Sequence, residues 1–109
     1  MNTEPSASDD LETELSHAHE AIVRIKALAY EKNVREDESA LKVIRFAERF
    51  LQIQVQEGQQ AVARLAQAPA TGDEREKASA ELELVLARIR RLTLHVQAQI
   101  FRFDVDRDF

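Results

Sequence analysis

Apolar residues recur along this chain with the period of an α-helix, in three stretches separated by two polar breaks. In the first stretch Leu11, Leu15, Ala18, Ile22, Ile25 and Ala29 alternate spacings of four and three, the seam of a helix packed in a bundle, and Ala21 and Leu28 widen it. In the second, two stripes run side by side between Leu41 and Val55. Val43, Phe46, Phe50 and Ile53 form one; Ile44, Ala47, Leu51 and Val55 form the other, which continues alone through Gly58, Val62 and Leu65. In the third, the seam is Ala78, Leu82, Val85, Ile89, Leu92, Val96, Gln99 and Phe103.

The breaks between stretches carry helix-ending chemistry. Asp9 can cap the first helix, with Glu12 completing a capping box. The seam stops at Lys32, where KNVREDES holds one apolar residue, Val34, and Asn33 can close the helix in a left-handed conformation. The second helix is expected from near Glu36 to Ala68, stopped by Pro69. In PATGD, Gly72 allows a turn and Thr71 or Asp73 caps a third helix running past Gln99. The expected organisation is a disordered tail at 1–8, a single helical domain at 9–103 and an acidic-aromatic tail at 104–109.

Short connections make neighbouring helices antiparallel. Folding the first two segments about their break puts Phe46 opposite Ile22, Phe50 opposite Ala18 and Ile53 opposite Leu15. The double stripe on helix two therefore predicts two neighbours along its first half, with Phe50 wedged in the core. The expected fold is all-α: a three-helix antiparallel, up-down-up arrangement with one short and two long helices. Helix one covers the start of helix two and the end of helix three, and the long pair continues as a two-helix arm near residues 56–88. Gly58, inside the seam, predicts a close helix contact there, because a helix-interior glycine otherwise costs about 1 kcal/mol relative to Ala.

Composition supports this reading. The chain has 109 residues, with 2 Gly and 2 Pro, too few turn formers for many short loops. A net charge of −5 argues against a general nucleic-acid or anionic-membrane binder. There is no cysteine, which removes disulfide and thiol chemistry. The opening MNTEPSASDD lacks the basic start and apolar run of a signal peptide, and no apolar run approaches the ~18–20 residues that span a bilayer. These features read as cytoplasmic, with no membrane association.

Helix three carries a second stripe on its far side: Ala80, Leu84, Ala87, Leu94, Ala98 and Phe101, interrupted by Arg91. A contact with a second copy or another protein would use it; a leucine- and alanine-rich exposed face is the blander alternative. At the C-terminus the period changes. Phe101, Phe103, Val105 and Phe109 alternate with Arg102, Asp104, Asp106 and Asp108, a strand signature, so Phe103, Val105 and Phe109 are candidates for a recognition tail and a fraying helix end is the alternative. Arg88, Arg91, His95 and Arg102 share one long face and could hold phosphates or an acidic partner, or simply be solvated.

Site chemistry is sparse. Asp104, Asp106 and Asp108 resemble the start of a calcium loop without its glycine or distal glutamate. His17 and His19 fall on nearly opposite sides of a helix, so they do not share a metal. No phosphate loop, nucleophile-base pair or CxxC is present. The expectation is a non-enzymatic protein-protein interaction module (an adaptor, secretion chaperone or small regulator), forming a homodimer, binding another protein, or both. It needs no cofactor, metal or small-molecule substrate. A helical nucleic-acid-binding regulator using the basic face of helix three is the alternative.

Overall fold

The computed structural model describes the backbone of residues 7–31, 38–69 and 71–107 and side chains within 9–29, 41–69 and 71–102. Three helices follow in order: α1 (Ala7–Glu31), α2 (Glu38–Gln67) and α3 (Asp73–Arg107). Among the described residues there is no strand.

The helix ends differ in detail from the expected caps. α1 begins two residues before Asp9, which therefore lies in the acidic first turn, where carboxylates complement the helix dipole, and the Thr13 hydroxyl donates to the Asp9 carbonyl at 2.9 Å. Asn33 lies outside the described residues. At the second break neither Thr71 nor Asp73 supplies the cap. The Gly72 carbonyl accepts the first bond of α3, from the Glu76 N–H at 3.1 Å, and Gly72 holds φ at 121°, a conformation that favours glycine. α3 then runs to Arg107, beyond the boundary expected at 103, so residues 104–107 continue the helix; 108–109 lie outside the described residues.

Among the described residues, four ion pairs join the helices. Lys26–Glu48 (2.7 Å) joins α1 to α2, Arg64–Glu81 (2.6 Å) and Arg88–Glu57 (3.3 Å) join α2 to α3, and Arg90–Glu14 (2.8 Å) joins α3 to α1. Between the two α2–α3 pairs the residue numbers rise along α2 and fall along α3, so the two helices are antiparallel. Leu11, near the start of α1, packs with Ala61 of α2 and with Leu82 and Val85 of α3, while Ile25, near its end, packs with Ala47 and Val96. α1 therefore runs antiparallel to α2 and parallel to α3.

The core is one axis of two adjoining clusters. Ile22, Ile25, Ile44, Ala47, Leu92 and Val96 build one; Leu11, Ala18, Ala61, Leu82, Val85 and Ile89 build the other. α2 touches both other helices, as expected, but the helix with the largest share of the contact is α3. α3 packs about equally against α1 and α2, whereas contact between α1 and α2 is much sparser. The expected seam of α3 is buried from Ala78 through Val96, and Leu86, Thr93 and Ile100 are buried beside it. Those three share a flank with Arg90, whose partner Glu14 is on α1, so this added line meets α1.

On α2 the buried line is Ile44, Ala47, Gln54, Gly58 and Ala61. Phe46 and Ile53 are 57 % and 46 % exposed, and Val43 and Phe50 are half-buried at the edge of the core. This corrects the docking of the first stripe. Phe46, Phe50 and Ile53 share a flank with Glu57 and Arg64, the residues paired to α3, so they line the α3 side of α2 and do not wedge against α1. The level along the axis agrees with the expected one: Leu11 meets Gly58, in line with the pairing of Leu15 with Ile53.

A Cβ built on Gly58 would stand 2.8 Å from Leu11 Cδ1 and 3.3 Å from Val85 Cγ1, so α1 reaches well into the region expected to be a bare hairpin. Among the described residues, the part beyond Ala61 and before Leu82 is a two-helix arm, shorter than the expected 56–88.

Candidate interaction surface

The outward face of α3 follows from its two neighbours. With one flank against α1 and the other against α2, the remaining third of the helix points away from the core. Every residue of the far stripe lies there. Ala80, Ala87 and Ala98 are exposed, and Leu84, Leu94 and Phe101 are 51 %, 65 % and 69 % exposed. The face is pinned from both sides. Arg88 reaches down to Glu57 of α2, and Arg90 to Glu14 of α1, where hydrogen bonding to the Glu14 carboxylate and its charge hold the Arg90 guanidinium above its usual pKa.

Each end of the stripe borders a groove. Leu84 lines one between α2 and α3 with Glu57, Gln60, Arg64, Glu81 and Arg88. Phe101 lines a wider one between α1 and α3, of about 650 Å³, with His17, Glu20, Arg24, Gln97 and Ile100. Both are open troughs along helix contacts, with as much polar as apolar character in the wider one.

The basic face is only partly assembled. Arg91, His95 and Arg102 are exposed, whereas Arg88 is half-buried and held by Glu57. In the candidate tail, Phe103 and Val105 sit on helical backbone, as part of α3; their side chains, and Phe109 entirely, lie outside the described residues. Among the described residues, no three His, Asp or Glu side chains group to hold a metal ion. No described helix is long and apolar enough to cross a membrane.

One exposed apolar feature was assigned to the core by sequence reasoning. Phe46 and Phe50 stack with ring centroids 5.7 Å apart, and Ile53 continues their line along the α2 flank. The signal that separates them from true core positions is their phase: they align with Glu57 and Arg64, which mark a rim. No protein-family model, curated protein or solved structure matches the chain.

Proposed function

We propose that this chain is a non-enzymatic helical interaction module, of the adaptor, chaperone or small-regulator kind, that self-associates through the outward face of α3. The observation that carries the reading is the alignment of Leu84, Leu94 and Phe101, each more than half exposed, on the face of α3 that the described residues do not cover. Full burial of a large apolar side chain contributes roughly 1.5–3 kcal/mol, and three aligned side chains in each of two copies supply several such contributions. The alternative use of α3, phosphate binding by its basic face, is weakened by the Arg88–Glu57 pair and by the net charge of −5.

Sedimentation equilibrium of the chain and of Leu94→Glu tests the proposal. The chain should show a concentration-dependent mass above 12.4 kDa, and Leu94→Glu should sediment at 12.4 kDa with unchanged helicity. A mass of 12.4 kDa for both, across the micromolar range, would count against self-association.

A further inference from the structure

We propose that the second copy docks antiparallel, α3 against α3, with the dyad level with Leu92 and Thr93. The inference rests on the self-association proposed above and deepens it by fixing direction and register. The stripe on α3 is an unbroken alternation of four and three: Ala80, Leu84, Ala87, Arg91, Leu94, Ala98, Phe101. Such a seam meets its copy in layers. In the antiparallel register Leu84 meets Phe101 of the second copy, Ala87 meets Ala98, and Arg91 meets Leu94. Large apolar side chains close the two ends, and the alanines between them let the helices approach closely. Each Arg91 lies along a leucine with its guanidinium free to reach solvent. A parallel register would stack Arg91 on Arg91 in one layer.

Charge chooses the same direction. The first half of α3, 73–87, carries five acids and two cations; the stretch from Arg88 to Arg102 carries four arginines and no acid, and acids resume only at Asp104. Antiparallel docking sets the acidic half of one copy toward the basic end of the other, and Glu81, which also pairs with Arg64 of its own chain, comes within one helical turn of Arg102 of the second copy. Parallel docking sets like halves side by side, which costs energy at separations within a Debye length of ~8 Å.

The chain has no cysteine, so introduced thiols report the register without background. Ala87→Cys and Ala98→Cys are prepared separately; both positions are exposed. In the antiparallel register the two thiols meet across the interface. Each is roughly 16 Å from its own copy along the axis at 1.5 Å per residue. That exceeds the ~4.4–6.8 Å Cα separation a disulfide spans. Under mild oxidation, the mixture should give a disulfide-linked pair of one of each, and neither variant alone should cross-link. Self-cross-linking by each variant alone would overturn the antiparallel register while leaving self-association standing. A dimer in sedimentation with no cross-link in any mixture would overturn α3 as the contact. A monomer in sedimentation would overturn this inference together with the reading beneath it.

Discussion

Gln54 and Gly58 lie one helical turn apart on the buried line of α2, and each sets a local energetic demand. Gln54 is 3 % exposed, and its Oε1 accepts no hydrogen bond from the described residues. An unpaired buried acceptor costs about 1–3 kcal/mol, and leucine fills a similar volume without that cost. Gln54→Leu should therefore raise stability by about 1–2 kcal/mol, measured by urea unfolding. A loss of stability would show that the amide is satisfied in solution. Gly58 faces the far end of Leu11, a flexible neighbour. Ala there gains helix propensity while displacing that leucine tip, and should change stability by less than about 1 kcal/mol. Leu there overfills the contact among α1, α2 and α3 and should cost about 1–3 kcal/mol or more. An unchanged or higher melting temperature for Gly58→Leu would remove the close contact. Gly58 was legible in the sequence because Val55 and Val62 frame it in an apolar line. Gln54 was not, because a polar residue in a core carries no periodicity signal of its own.

Among the elements, α3 is the shared wall of the core, and the energetic consequences should follow. Ile89, on α3, is fully buried, so Ile89→Ala should cost about 2–5 kcal/mol. Phe50 is half-buried at the edge of α2, so Phe50→Ala should cost well under the ~3–5 kcal/mol of a core phenylalanine. Equal losses for the two variants would return Phe50 to the core. Amide hydrogen exchange should divide the same way, slowest in the middle of α3 and faster in the arm beyond Ala61 and before Leu82, where only two helices pack. The seams of α1 and α3 were readable because their apolar residues coincide with the buried positions. α2 misled for two reasons. Its buried line includes Gln54 and Ala61, which fall outside both apolar stripes, while Phe46 and Ile53 register strongly and sit on the rim. The extra breadth of α3 was hidden because Thr93 interrupts the line of Leu86 and Ile100. That threonine is accommodated by donating its hydroxyl hydrogen bond to the Ile89 carbonyl at 3.0 Å.

At the scale of the molecule, three helices make a slab 56 × 28 × 15 Å, and the outward stripe of α3 runs along its length. The stripe was legible because its spacing is helical and opposite the seam. What it binds was not, because a partner contributes nothing to the periodicity of this chain. Two apolar surfaces therefore compete for the role of interface: the far face of α3 with Leu84, Leu94 and Phe101, and the α2 rim with Phe46 and Ile53. The α3 face is favoured here because its pattern is self-complementary and its charge is polarised along the helix. The direct measurement is a dilution series of two-dimensional amide spectra from millimolar to micromolar concentration. The account predicts concentration-dependent shifts at Leu84, Ala87, Leu94, Ala98 and Phe101, with Phe46 and Ile53 unmoved. Shifts confined to Phe46 and Ile53, or none anywhere in the series, would contradict it.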